Sequence, residues 1–91
     1  MTNKSITLTN EDGLHARAAA LFVREANKFS SEISLEAHEE KVNGKSIIGI
    51  MSLGAFKGEK VTIYADGSDE KEAVDTLYKF ITTTTKKYKQ S

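Results

Sequence analysis

Two short stretches of this chain carry side chains able to do chemistry. The first is Asp12-Gly13-Leu14-His15-Ala16-Arg17, which sets a histidine between a glycine turn and an arginine, at the doorway of an alanine-rich segment. A helix beginning there places His15 beside unpaired backbone N–H groups and the positive end of the helix dipole, both of which attract anions. Those groups and Arg17 favour the uncharged imidazole, which is the nucleophilic form. If the ring takes up a phosphoryl group the same features turn favourable. Arg17 and the amides of Ala16 and Ala18 can then hold the phosphate oxygens. The residues of this stretch alone fit equally a surface histidine that caps a helix, and no acidic partner is visible nearby except Glu11 and Asp12.

The second stretch runs from Lys41 to Gly54 and contains Asn43-Gly44, a turn dipeptide, followed by Lys45 and Ser46. Ser46 sits where a short helix over Ile47–Leu53 would need its N-cap, and serine is favoured there. A phosphate at such a cap is stabilised by the helix dipole, so modification of Ser46 would leave the helix folded and change its partners instead. The segment after it is unusually apolar. A surface helix buries one stripe of roughly 100°, so Ile47, Ile48 and Met51 are expected to stay exposed beside the histidine. An exposed patch containing methionine suits a protein that meets several partners. Arg24, Lys28, Lys45 and Lys57 are expected to form a basic rim that steers acidic partners, with the acidic run Asp66 to Asp75 elsewhere. His38, among Ala37, Glu39 and Glu40, reads as a plain surface residue in a turn, with no second metal-ligand pattern near it.

The elements that must position these residues follow from periodicity. Ser5–Thr9, Glu32–Ala37, Glu39–Val42 and Lys60–Ala65 alternate as strands. Ala16–Phe29 has helical spacing, with Ala19, Phe22, Val23, Ala26 and Phe29 on its core face. Gly54 is a good C-cap for the short helix. Asp66-Gly67-Ser68-Asp69 reads as a turn and N-cap for a helix from Glu70 to about Thr84. Ala73, Val74, Leu77 and Ile81 form its core face, and Lys86, Lys87 and Lys89 follow its last turn. The order β-α-β-β-α-β-α predicts an α+β open-faced sandwich, a four-stranded antiparallel sheet with three helices on one face.

Composition narrows the rest. The 91 residues suit one domain, residues 1–91. Thirteen basic and thirteen acidic residues cancel, which gives nucleic-acid binding little electrostatic support. There is no cysteine, hence no disulfide framework and no thiolate metal site. Met1 to Asn10 lacks a signal-peptide core, and the run Ile47 to Phe56 is too short to span a bilayer. The expectation is a cytoplasmic monomer with no membrane insertion, no direct nucleic-acid contact, no metal and no cofactor.

The two stretches together resemble the HPr family, the histidine-containing phosphocarriers of the bacterial phosphoenolpyruvate:sugar phosphotransferase system. Gly13-Leu14-His15-Ala16-Arg17 is similar to the family's active-site loop. Lys41-Val42-Asn43-Gly44-Lys45-Ser46-Ile47-Ile48-Gly49-Ile50-Met51-Ser52-Leu53-Gly54 is similar to its regulatory segment, in the form with Gly49 and Met51 that marks the Gram-positive low-GC type. The resemblance extends from about Ser5 to Ile81. It implies that His15 takes phosphate on Nδ1 from phosphorylated enzyme I and passes it to sugar-specific IIA domains, as a stoichiometric carrier and not an enzyme. It also implies that an HPr kinase/phosphorylase modifies Ser46, and that the seryl-phosphorylated form is corepressor of a catabolite-control repressor. One position departs from the pattern: Ala18 stands where the family usually has proline, which restores an amide donor and puts the rigidity of the loop in question.

Three other readings are weaker. Regulatory paralogues acting only through Ser46 lack the active-site histidine that this chain has. A carrier of the nitrogen-related branch would not be expected to keep so strong a Ser46 segment. A small hydrolase using His15 as base finds no serine, cysteine or carboxylate constellation to work with.

Overall fold

The computed structural model describes the backbone of residues 1–8, 13–55 and 58–90. The elements are β1 (Thr2–Thr7), α1 (Ala16–Ala26), β2 (Glu32–Ala37), β3 (Glu40–Asn43), α2 (Ile47–Leu53), β4 (Lys60–Asp66) and α3 (Glu70–Gln90). The strands form one antiparallel sheet in the order β1-β4-β2-β3, so the last strand in sequence lies inside the sheet. Register is set by the alternation of its two faces. Val61, Ile63 and Ala65 of β4 and Ile33, Leu35 and Ala37 of β2 all point to the buried side, with Leu35 opposite Ile63 and Ile33 opposite Ala65. A one-residue slip would turn every one of them to solvent. The helices cover that side with Ala18, Ala19, Phe22 and Ala26 of α1, Ile50 and Leu53 of α2, and Ala73, Val74, Leu77 and Ile81 of α3. The expected open-faced sandwich is the fold observed.

Element ends show where local signals hold and where they yield. β2 and α2 match the sequence reading at both ends, because turn and cap residues bracket them. α2 stops at Gly54, whose left-handed backbone (φ 64°, ψ 40°) returns its N–H to Met51 O, a conformation glycine adopts at no steric cost. β1 starts three residues before the expected Ser5, since Thr2, Asn3 and Lys4 pair with Ala65, Tyr64 and Ile63. The expected end at Thr9 lies outside the described residues. β3 covers Glu40–Asn43 instead of Glu39–Val42, because His38 and Glu39 both take left-handed φ values (55° and 64°) and form the hairpin turn. α1 ends at Ala26, not Phe29: Asn27 caps it, its N–H and its Nδ2 both donating to Val23 O. Lys28 N then donates to Glu25 O and Phe29 N to Ala26 O in a tightened last turn. β4 runs one residue beyond Ala65, to Asp66. α3 runs past Thr84 to Gln90, so the three lysines lie within the helix. The threonine run does not stop it, since Thr82 Oγ1 donates back to Tyr78 O at 3.0 Å, within the helix.

Two carboxylates tie the ends of elements together. Asp69 occupies the expected N-cap position of α3, and its carbonyl accepts from Ala73 N. Its carboxylate instead reaches the loop between α1 and β2. There it accepts from Ser30 N at 2.9 Å and Ser31 N at 3.0 Å, and from both serine hydroxyls. Ser31 is the one buried polar residue among those described, and Asp69 satisfies it. Glu70 similarly accepts from Thr2 Oγ1 at 2.6 Å and Gly67 N at 3.1 Å, joining the start of β1 to the start of α3.

These bonds favour the ionised carboxylates. The Ser31 hydroxyl and the Ser30 amide hold Asp69 down from 3.8 to about 2. Thr2 and Gly67 hold Glu70 down from 4.5 to about 2. A depressed carboxylate adds stability that is fully present above its unfolded-chain value and is lost as pH falls through the folded one. The Asp69 contribution should therefore be complete above pH 4 and fade toward pH 2. Melting temperatures of the protein and of Asp69→Asn, measured from pH 7 to pH 2, should differ most above pH 4 and converge near pH 2. A gap that is constant with pH would show that Asp69 acts through shape and not charge.

Candidate functional site

His15 is placed by a chain of backbone bonds. Leu8 N donates to Glu59 O at 2.9 Å and Gly58 N to Leu8 O at 2.8 Å, fastening the end of β1 to the approach to β4. Beyond residues 9–12, Gly13 takes a left-handed φ of 60° and is buried, a combination that disfavours any residue with a Cβ. Leu14, also buried, donates its N–H to Ala55 O at 3.0 Å. The start of α1 is thereby bound to the segment just after α2. Glu11 and Asp12, the acidic neighbours expected at His15, lie outside the described residues.

His15 itself is the N-cap of α1, in extended conformation (φ −78°, ψ −177°). Its carbonyl accepts from Ala19 N at 2.8 Å. Its Nδ1 accepts from Arg17 N at 3.2 Å. That contact assigns the lone pair to Nδ1 and the proton of the neutral ring to Nε2. Nε2 is shielded from solvent. The ring caps the helix N-terminus through Nδ1.

Arg17 and Arg24 are exposed on α1 and lie on one face of it. Ala20, which the sequence reading did not single out, is exposed between them. The rest of the expected basic rim is more engaged. Lys28 pairs with Glu25 at 3.2 Å, and Lys45 Nζ donates to Phe29 O at 2.8 Å, spanning from the start of α2 to the end of α1. Lys57 lies outside the described residues.

Ser46 is the N-cap of α2. Its hydroxyl accepts from Gly49 N at 3.1 Å and its carbonyl from Ile50 N at 3.1 Å. The turn ahead of it is closed by Asn43, whose Oδ1 accepts from Lys45 N at 2.8 Å. With Ile50 and Leu53 buried, Ile47 (42% exposed), Ile48 (80%) and Met51 (47%) face solvent. These three and Met1 are the exposed large apolar residues among those described. α2 packs on α1, and the Leu14–Ala55 bond joins the C-terminal end of α2 to the His15 loop. The two sequence stretches therefore form one surface.

His38 is exposed in its turn, as expected, and also lies 2.9 Å from the Glu59 carboxylate, an ion pair when protonated. No group of acidic or histidine side chains among the described residues is arranged to hold a metal ion. No described helix is long and apolar enough to cross a membrane. A groove of about 500 Å³ is lined by Ser30, Ser34, Lys41, Asn43 and Lys45, and His15 is not part of it.

Comparison with known proteins agrees with this geometry. The family described as PTS HPr component phosphorylation site matches residues 2–83. The HPr-like protein Crh of Halalkalibacterium halodurans is 48% identical over 81 residues, 89% of this chain and 96% of its own. The crystal structure of HPr-C-His from Thermoanaerobacter tengcongensis superposes with a TM-score of 0.87 at 51% identity, covering 91% of this chain and 93% of that one. Crh of Bacillus subtilis, a catabolite repression protein solved as a dimer with a swapping domain, gives 0.74 at 44% identity, covering 91% and 95%. The chain belongs to the HPr family, of the Gram-positive type, a family of phosphocarriers of the phosphotransferase system and not of catalytic enzymes. The dimeric relative leaves the expectation of a monomer without support.

The cap at Ser46 is open to a direct test. Ser46→Ala should lower stability by about 1 kcal/mol through loss of the bond to Gly49 N, and Ser46→Thr should recover most of it. Urea unfolding of the three proteins measures the difference. Equal midpoints would mean that the serine does not hold the helix.

Proposed function

We propose that this protein, acting as a single domain over residues 1–91, carries a phosphoryl group on His15 between enzyme I and the IIA domains of sugar permeases in the cytoplasm. The observation that carries the reading is the Nδ1 atom of an N-cap histidine, bonded to Arg17 N at the start of α1. In the transfer, the Nδ1 lone pair forms the new N–P bond as the bond from phosphorus to its previous carrier breaks, and that electron pair stays with the donor. The phosphate dianion then replaces the lone pair as acceptor for the helix amides, with Arg17 beside it. Delivery reverses these steps on the next protein.

The patch of Ile47, Ile48 and Met51, with Arg24 and the Lys45 segment at its rim, is the docking surface in this reading. A flat apolar patch with low specificity of shape suits partners that bind one after another. Ser46 lies at its edge. Phosphorylation there by an HPr kinase/phosphorylase adds about two negative charges at the surface. That charge weakens docking to an acidic enzyme I and strengthens docking to a basic groove on a catabolite-control repressor.

A second reading is favoured by the likeness to Crh: a regulator that works through Ser46 alone. One experiment separates the two. Intact mass after incubation with phosphoenolpyruvate and enzyme I should show one acid-labile phosphoryl adduct, absent in His15→Ala. If no adduct forms, while ATP and the kinase label Ser46, the regulatory reading stands and the carrier reading fails.

The patch has its own test. Ile48→Asp removes a side chain that is 80% exposed, so stability should change by less than about 0.5 kcal/mol. The rate of phosphorylation by enzyme I should fall at least severalfold. An unchanged rate would place docking elsewhere.

A further inference from the structure

Helix α2 carries its large apolar side chains in two sets. Ile50 and Leu53 are buried, while Ile47, Ile48 and Met51 face solvent. Met51 lies one helical turn beyond Ile47 and Ile48, at the i+4 and i+3 spacings that put side chains on one face. It belongs neither to the buried core nor to the half-buried side chains packed against that core. Its backbone carbonyl closes the helix by accepting from Gly54 N. The thioether therefore sits on a surface, on a helix whose packing does not depend on it.

The chain has two methionines and no cysteine. With no thiol to take an oxidant first, the two thioethers are its oxidisable sulfur. The other methionine, Met1, is 68% exposed. Its amino group lies 3.1 Å from the Glu70 carboxylate, at the start of α3, whereas α2 packs on α1, β3 and β2. Met1 is at least as open to solvent as Met51 but stands outside the patch.

We infer that Met51 is a reversible oxidation site, at which a peroxide weakens the docking of this protein to the donor of its phosphoryl group. The inference rests on the reading of the α2 patch as the docking surface. A sulfur lone pair attacks one peroxide oxygen. The S–O bond forms as the O–O bond breaks, and the departing hydroxide takes the proton of the attacked oxygen and leaves as water. Sulfur loses two electrons and the peroxide gains them. The product is a sulfoxide, a polar and chiral group in place of a flexible apolar one. In the free protein its oxygen stays in water and costs nothing. Against an apolar partner surface that oxygen loses its water without gaining a donor, which is unfavourable. The patch consists of three side chains, Ile47, Ile48 and Met51, so one polar oxygen alters a large part of it. The change falls on association and not on folding, and reduction of the sulfoxide reverses it.

The test compares each protein with its own unoxidised form, so that any effect of a substitution on the basal rate cancels. The unmutated protein and Met51→Leu are treated with hydrogen peroxide, and the peroxide is removed before enzyme I and phosphoenolpyruvate are added. Peptide masses locate the added oxygen. Oxidation should slow phosphorylation of the unmutated protein severalfold and leave the ratio for Met51→Leu near one, although Met1 is oxidised in both. Methionine sulfoxide reductases for both epimers should restore the rate, and the urea midpoint should not move on oxidation. An unchanged rate with Met51 shown to be oxidised overturns the inference and leaves the carrier reading intact. So does an equal loss in Met51→Leu, a lowered urea midpoint, or a Met51 that stays reduced while Met1 is oxidised. Failure of the unoxidised protein to take up any acid-labile phosphoryl group overturns both.

Discussion

The pairing of β4 between β1 and β2 is the constraint on which the other contacts depend. This strand bonds to two segments far from it in sequence: Thr2–Thr7 on one side and Glu32–Glu36 on the other. Before it is in place, β1 has no strand partner and the inner face of the sheet has a gap along its middle. Val61, Ile63 and Ala65 fill that gap with fully buried side chains. The cost is that the central pairing closes a long loop, so the sheet cannot be completed by local steps. The benefit is that α1 and α3 then share one continuous apolar floor.

The site inherits its geometry from this arrangement. Because the approach to β4 is bonded to Leu8, and Ala55 to Leu14, the loop carrying His15 is held at both margins by the segment that follows α2. His15 thus acquires a defined relation to the apolar surface of α2. Gly13 makes the turn that this requires. The ring is then oriented by the helix it caps, its Nδ1 accepting from Arg17 N.

The polar contacts do a different job. Asp69 and Glu70 bind element ends that are distant in sequence. Lys4 points to the helix side of an edge strand, pairs with Asp75 at 3.0 Å and lies over the Tyr78 ring. An inward charge of that kind discourages edge-to-edge pairing with other sheets. On the opposite, uncovered face, Tyr64 donates to Glu36 at 2.6 Å, which holds its hydroxyl protonated, while Lys41 stacks on its ring. That face is polar and solvated, in contrast to the apolar patch on α2.

Local signals in the sequence determined a good deal. The bounds of β2 and α2, the caps at His15, Ser46 and Gly54, the buried stripe of α3 and the exposed trio on α2 all follow from periodicity and cap chemistry, which act over a few residues. What they could not determine is what depends on a distant partner. The early start of β1 came from β4, and the carboxylate of Asp69 left its own helix for Ser30 and Ser31. Lys45 closed onto Phe29 instead of standing free. Above all, the sequence reading expected the apolar patch beside the histidine but held nothing that puts it there. The tertiary structure supplies the reason, because hydrogen bonds between remote backbone segments, Leu14 N to Ala55 O among them, are invisible to any local pattern.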